Sequence, residues 1–294
     1  MFPNKKHMNK NKLFTTGWND YELLDAGGNK KLERWGDIIT IRPERQAYFR
    51  SGLPFEQWNQ QAHLIFESTG KSSGQWKTKK GHDKITEWTI EYGQLTFLLA
   101  PTKFKHIGLF PEQKSNWDYL TELITPGDKM LNLFAYTGAA SLVAKQCGAD
   151  VTHVDSVKQL ITWARKNMEL STLEDIRWVH EDALKFARRE VKRGNTYNCV
   201  VMDPPAWGIG AKKEKWKIED QLPQLIQMAY SLLEPNGTLI LNTYSPRVDM
   251  KMIAKVVAPH FNYFTLQELW MQTKTGKSLF YGHLLRATKQ SSSH

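Results

Sequence analysis

The stretch MLNLFAYTGAASLVAKQCGADVTHVD, residues 130–155, decides the fold. Met130 to Phe134 is a largely apolar run of strand length. Ala139 to Cys147 has helical composition and is stopped by Gly148, and Val151 to Val154 is a second apolar run that ends on Asp155. Two strands joined by a helix make a βαβ unit, whose strands lie parallel. The alternation continues downstream: a helix over Val157 to Met168 with Val157, Leu160, Ile161, Ala164 and Met168 on one face, then a strand from Ile176 to Val179. A helix from Leu184 to Lys192, a strand from Asn198 to Met202, a helix from Leu222 to Leu233 ended by Pro235 and Gly237, and a strand from Thr238 to Asn242 follow. Buried strands alternating with helices require a parallel sheet covered on both faces, a doubly wound α/β domain. After a helix around Met250 to Val257, Phe264 to Met271 and Leu279 to Arg286 read as a terminal antiparallel pair joined through Lys274 to Lys277.

Upstream the grammar changes. Residues 13–104 read as a small β-rich domain: Tyr21 to Asp25, a turn at Gly27-Gly28-Asn29, a run from Lys31 to Ile41 closed by Arg42-Pro43, and a hairpin of Ile85 to Tyr92 and Leu95 to Leu99 about Gly93. The polar, glycine-rich segment Gly70 to Gly81 reads as a mobile basic loop. Residues 1–12 form an expected disordered basic tail, and residues 105–288 the α/β domain.

Composition bounds the function. Hydrophobic residues make up 40% of the 294, enough for a substantial core. The mean hydropathy of −0.53 and the lack of a long apolar run exclude a helical membrane span, and the opening residues lack the apolar core of a secretory signal. Two cysteines, Cys147 and Cys199, are too few for a disulfide framework, so a cytosolic location is expected. Forty Lys and Arg against thirty Asp and Glu give a net charge of +10, which favours a polyanionic partner. Nine histidines show no metal-ligand spacing, and no metal is expected.

In an open α/β sheet, ligands bind at the carboxyl ends of the strands, so the residues just after each strand carry the chemistry. After the first comes Asn132-Leu-Phe134-Ala-Tyr136-Thr137-Gly138, entering a helix whose N–H groups face any negative ligand. It is neither Gly-x-Gly-x-x-Gly nor a phosphate loop. After the second comes Asp155, placed to accept both hydroxyls of a ribose; after the third Glu181-Asp182, and after the fourth Asp203-Pro204-Pro205-Ala206-Trp207. Singly, an acid after a strand is most often a helix cap. The two prolines fix an extended backbone that holds Asp203 and Trp207 at the sheet edge. Four such signals on successive strands are far more specific than one.

These residues resemble the motifs of the class I S-adenosylmethionine-dependent methyltransferases. The loop Phe134-x-Tyr136-Thr137-Gly138, the sequence Asp203-Pro204-Pro205-x-Trp207 and the upstream Gly108-Leu-Phe-Pro-Glu-Gln113 are similar to the RlmI/RlmK-like group of large-subunit ribosomal RNA methyltransferases. The resemblance covers about residues 105 to 245 and implies a seven-stranded sheet with a reversed last strand, preceded by a β-rich domain that helps hold RNA. It also implies a cofactor site: Asn132, Phe134, Tyr136, Thr137 and Gly138 at the methionine end, Asp155 and Ser156 at the ribose, and Glu181, Asp182 and Ala183 at the adenine. Gln113 and Trp117 would cover it, and Asp203 would border it. Asp203, with Pro204, Pro205 and Trp207, would then form the catalytic group: Asp203 orients the acceptor nitrogen or takes its proton, and Trp207 or Trp216 stacks on the target base.

Two departures narrow the chemistry. Cytosine C5 methylation needs a cysteine nucleophile, and members that perform it carry one where this chain has Asn242-Thr-Tyr244-Ser-Pro-Arg247. A base nitrogen, on a purine, is the expected acceptor. Asp203 also stands where enzymes acting on exocyclic amines carry Asn in Asn-Pro-Pro-Tyr. The segments Gly208 to Lys217, with four lysines and Trp216, and Trp76 to Lys80 read as loops suited to phosphate and base. The competing readings are a nucleotide-dependent oxidoreductase, a noncatalytic RNA-binding module and a methyltransferase with a small-molecule or protein acceptor. The missing Gly-x-Gly-x-x-Gly argues against the first and the intact motifs against the second.

Overall fold

The computed structural model describes residues 12–70, 73–81, 84–209 and 215–291. Its strands up to residue 100 are β1 (Lys12–Thr15), β2 (Tyr21–Gly27), β3 (Lys30–Trp35), β4 (Ile38–Pro43), β5 (Leu64–Ser68), β6 (Gly74–Thr78), β7 (Trp88–Tyr92) and β8 (Leu95–Leu99), with helix α1 (Phe55–Gln61) before β5. After a 3-10 turn at Pro111–Gln113 come α2 (Lys114–Leu123), β9 (Lys129–Leu133), α3 (Ala139–Gln146), β10 (Asp150–Asp155), α4 (Lys158–Leu170), β11 (Ile176–His180), α5 (Ala183–Arg193) and β12 (Tyr197–Met202). The chain ends through β13 (Trp207–Ile209), β14 (Lys215–Lys217), α6 (Ile218–Leu232), β15 (Leu233–Thr243), α7 (Met250–Val257), β16 (Tyr263–Gln272) and β17 (Ser278–Thr288).

The structure divides into two compact units. One comprises Phe14–Ser115 with Trp270–Phe280, and the other Met1–Leu13, Asn116–Leu269 and Tyr281–His294. The main segment of the α/β unit runs from Asn116, and the hairpin tip of β16 and β17 is counted with the β-rich unit.

In the α/β unit the strand order is β1-β16-β17-β15-β12-β9-β10-β11. Strands β11, β10, β9, β12 and β15 run parallel, and β17 lies antiparallel to β15. The seven expected strands are all present, and the short β1 adds an eighth at the edge, a strand for which Lys12 to Thr15 is too brief to show a pattern. Alternate residues face opposite layers, as the pleat requires. Leu131, Leu133, Val200, Met202, Leu239 and Leu241 pack with Phe186 of α5, Leu222 and Leu225 of α6 and Ile253 of α7. Asn132 and His153, on the other face, meet Ser141 of α3. Burial drives the His153 imidazole down to about 3, so it is neutral in the fold. The chain reverses its direction of winding at β9, the start of both the β10 and the β12 side, and the crevice at that switch point is where this architecture binds ligands.

The β-rich unit carries a five-stranded sheet, β2-β3-β4-β5-β6, and the β7-β8 hairpin. The expected single run Lys31 to Ile41 is two strands, because Gly36 at φ 61° turns the chain between Trp35 and Ile38. The expected loop Gly70 to Gly81 contains β6, which pairs with β5 from Leu64↔Thr78 to Ser68↔Gly74. Its alternating side chains, with Trp76 edge-on to Phe66 at 5.3 Å, supply the strand pattern that its polarity hides. Helix α1, with the buried Trp58 at its centre, was not foreseen; Pro54 before it and Glu56 in its first turn are its signals. Burial raises the Glu33 carboxyl of β3, but Arg42 and Lys31 beside it prevail and hold it down at about 2. Residues 1–11 of the expected tail lie outside the described residues, and Lys12 opens β1. No helix of the described residues is long and apolar enough to cross a membrane.

Candidate active site

The register of the parallel sheet places the candidate residues in one row. Val154 pairs with Leu133, Leu133 with Met202, and Met202 with Leu241. The next residue of each chain is therefore Asp155, Phe134, Asp203 and Asn242, on adjacent strand ends spaced by roughly 4.8 Å. Four sequence segments more than a hundred residues apart at their extremes thus meet on one edge.

The loop between β9 and α3 is bent sharply. Phe134 and Tyr136 take φ of 58° and 53°, a left-handed conformation that bulky residues adopt only where the surroundings enforce it. The Tyr136 N–H donates to Asp155 Oδ2 at 2.9 Å, and the Val157 N–H donates to Oδ1 at 2.8 Å. Asp155 therefore ties the loop to β10. Burial pushes its carboxyl up against the opposing effect of those N–H bonds. A carboxylate has about four lone-pair sites, so this one can hold the loop and still accept from hydroxyls outside it. Gly138 follows at φ 89°, and a Cβ there would stand 3.0 Å from Ala164 Cβ and 3.2 Å from Leu142 Cδ1. Its need for glycine comes from α3 packing on α4 as well as from the turn. Thr137 is fully buried, and its carbonyl accepts from Asn167 Nδ2 at 2.9 Å. The Asn132 amide donates to Ser141 Oγ at 2.9 Å, so that side chain serves the α3 face.

Beyond β11, Asp182 caps α5, its Oδ1 accepting from the Lys185 N–H at 3.0 Å. Glu181 pairs with Arg189 at 2.6 Å, and its own N–H reaches the Asp155 carbonyl at 3.1 Å. Ala183 is buried at the first turn of α5. Ser156 is exposed, and its carbonyl lies 3.1 Å from His180 Nε2.

Asp203 stands at the end of β12. Burial lifts its carboxyl to about 6, while the Asn242 amide, 3.4 Å from Oδ1, acts in the opposite direction. Asn242 is a residue that sequence reasoning missed; its place at the carboxyl end of β15, the strand beside β12, was the available signal. Pro204 is buried and Pro205 exposed, and the Pro205 carbonyl accepts from Trp216 Nε1 at 2.6 Å. Trp216 also packs on Phe134, ring centroids 5.2 Å apart. Trp207 is 59% exposed. The expected loop Gly208 to Lys217 is a ribbon in its described arms, with Trp207↔Lys217 and Ile209↔Lys215, while Lys212 and Lys213 lie outside the described residues. Of the other basic segment, Lys77 pairs with Glu67 at 2.5 Å and Lys79 donates to the Asn59 carbonyl.

Comparison with known proteins decides the family. The S-adenosylmethionine-dependent methyltransferase family matches residues 42–264, spanning both units. The chain belongs to this family. The methyltransferase from Agrobacterium tumefaciens described as S-adenosylmethionine-dependent is 36% identical, and its crystal structure matches 98% of this chain and 97% of its own with a TM-score of 0.89. The structure of SMU.776 complexed with S-adenosylhomocysteine shares the fold, with a TM-score of 0.73 at 17% identity, over 93% of this chain and 76% of the other. Among curated proteins, ribosomal RNA large subunit methyltransferase I of Aeromonas hydrophila is 26% identical over 81% of this chain. Methyltransferase K/L of Syntrophotalea carbinolica is 29% identical over 58% of it. The chain spans 58% of the length of the first relative and 25% of the second.

The cofactor of the family is S-adenosylmethionine, and the loop of residues 134–138 with Asp155 fits its ribose and amino-acid ends: a carboxylate for hydroxyls and a turn with no side chain at Gly138. The two expected covering residues lie ahead of β9, as their sequence positions require. Gln113 closes the 3-10 turn within the β-rich unit, and Trp117 is 2% exposed within the α/β unit.

Proposed function

We propose that this chain transfers a methyl group from S-adenosylmethionine to a base nitrogen of large-subunit ribosomal RNA, and not to cytosine C5. The observation that carries the reading is the row Asp155, Phe134, Asp203, Asn242, which sets the Asp155 carboxylate two strands from the Asp203 carboxyl, whose pKa burial raises to about 6. When bound, the cofactor supplies a methyl already activated on a sulfonium, so the chain's residues have mainly to orient the acceptor and exclude water.

In this reading Asp155 and Asp182 hold the nucleoside. Asp203, with its carboxyl near 6, is ionised in most molecules at neutral pH and basic enough to accept a proton from a nitrogen as it is methylated. Asn242 fixes the orientation of that carboxyl. Trp207, the aromatic two residues after the prolines, would stack on an unstacked base, a role its exposure supports. Cys199 lies within β12 with its thiol pushed up by burial, and Cys147 caps the end of α3, so neither sits in the acceptor segment after β15. That supports a nitrogen over C5. Relatives described as ribosomal RNA large subunit methyltransferases support the substrate class.

Two measurements test the reading. Isothermal titration is expected to show binding of S-adenosylhomocysteine and none of NAD; the reverse would return the chain to the oxidoreductases. Mass mapping of ribosomal RNA from cells with and without the gene is expected to show one methylated base missing in the second. Loss of a methylated metabolite or protein instead would replace the RNA acceptor.

A further inference from the structure

We propose that residues 45–53 of the β-rich unit, laid against the β2–β3 turn, form a docking surface for single-stranded RNA. The proposal rests on the RNA reading above and gives it a place distant in sequence from every methyltransferase motif. The loop is built, not loose. The Gly28 N–H donates to the Phe49 carbonyl at 2.8 Å, the Asn29 N–H to the Ala47 carbonyl at 2.7 Å, and the Glu44 N–H to the Asn29 carbonyl at 2.8 Å. Asp25, fully buried, accepts from the Gly52 and Leu53 N–H groups at 3.0 and 2.7 Å and from Thr275 Oγ1 at 2.5 Å, which pins the loop and the hairpin tip to one point.

What this frame presents is aromatic and cationic. Tyr48 is 80% exposed, the most of any large apolar or aromatic side chain among the described residues, and touches Phe49 edge-on at 5.9 Å. Phe55, 41% exposed, borders the same turn, with Lys30 Nζ 6.0 Å from its ring; Lys277 Nζ stands 6.0 Å from the ring of Phe49. Arg45 and Arg50 are exposed on the loop itself. Among the described residues none of these four cations makes an ion pair. The acids nearby are Asp25 and Glu44, both buried and engaged, and Glu56 on the first turn of α1. Unpaired cations around exposed rings match a polyanion that also offers flat faces, and a single strand of RNA has both; a duplex hides its bases in the stack.

The test uses the full chain and a labelled short single-stranded RNA oligonucleotide, with anisotropy read across about 50 to 200 mM salt. Tyr48→Ala is expected to weaken RNA binding by roughly tenfold and leave the salt slope unchanged, while Tyr48→Phe keeps the affinity, since stacking needs only the ring. Arg45→Ala with Arg50→Ala is expected to flatten the slope by about two phosphate contacts. All variants should bind S-adenosylhomocysteine as the wild type does, which also certifies their folding. If the wild type binds the RNA and every variant binds it equally, the docking surface is wrong and the RNA reading stands. If the wild type binds no RNA, both fall.

Discussion

Asp203 at the end of β12 and Asn242 at the end of β15 face each other across adjacent strands, with the Asn242 amide 3.4 Å from the Asp203 carboxylate. Burial lifts the carboxyl to about 6, and the amide limits the rise. If Asp203 takes the acceptor's proton, the rate of methyl transfer at saturating substrates rises with pH through about 6 and then levels. Asn242→Leu removes the bond that favours the ionised form, so the midpoint should move to higher pH. A profile flat from pH 5 to 8, roughly the window around that value, in the wild type would remove Asp203 from the proton transfer.

The same elevation has a consequence for stability. Between about pH 4 and 6 the folded chain holds a proton at Asp203 that the unfolded chain has lost, so stability falls as pH rises through that window. Asp203→Asn removes the buried charge. Its melting temperature is expected to match the wild type near pH 4 and exceed it at pH 8, the gain in folding free energy being bounded at about 3 kcal/mol, while turnover drops. Greater stability with lost activity is a combination that damage to the fold cannot produce.

Asp155 ties the loop to β10 and, in the proposed reading, also holds the ribose, and one substitution exposes both parts. Asp155→Ala should weaken S-adenosylhomocysteine binding by about 1.5 to 3 kcal/mol, roughly tenfold to a hundredfold, the range for a hydrogen bond to a charged group. It should also lower the melting temperature of the protein without ligand, because the Tyr136 and Val157 N–H groups lose their acceptor. Asp182→Ala removes only a helix cap from the structure, a loss of about 1 kcal/mol. Equal ligand affinity in Asp155→Ala and the wild type, measured by titration, would take the ribose role from Asp155.

These roles were unevenly legible in the sequence. Apart from β13 and β14, read as a loop, the strands and helices from β9 to α7 follow from apolar runs of 4 or 5 residues set between helical periods, and the bounds observed differ from that reading by five residues or fewer. The helix α7, Met250–Val257, falls where its apolar spacing puts it. Strand-end acids are readable because parallel strands in register bring their ends together. A partner such as Asn242 is not, since its meeting with Asp203 depends on the spatial order β15-β12-β9, which chain order does not state. Nor could spacing reveal that the Asn132 amide turns to Ser141, or that Gly138 is held by Ala164, because both depend on which face α3 covers. In the β-rich unit the strands are short and polar, and turns such as Gly36 carry more information than hydropathy.

The two tryptophans after the prolines provide the last distinction. Trp207 is 59% exposed, while Trp216 donates from Nε1 to the Pro205 carbonyl at 2.6 Å and rests on Phe134 at 5.2 Å. An exposed ring contributes little to folding, and a packed one whose N–H is engaged contributes both area and a hydrogen bond. Trp216→Ala should therefore lower the melting temperature and weaken S-adenosylhomocysteine binding through Phe134, which stands in the proposed cofactor loop. Trp207→Ala should leave both unchanged and reduce methylation of RNA alone, roughly tenfold or more if a base stacks on it. Trp207→Phe restores a flat face and should recover most of that loss. A Trp207→Ala protein that methylates RNA at the wild-type rate would show that the target base lies elsewhere on the acceptor side.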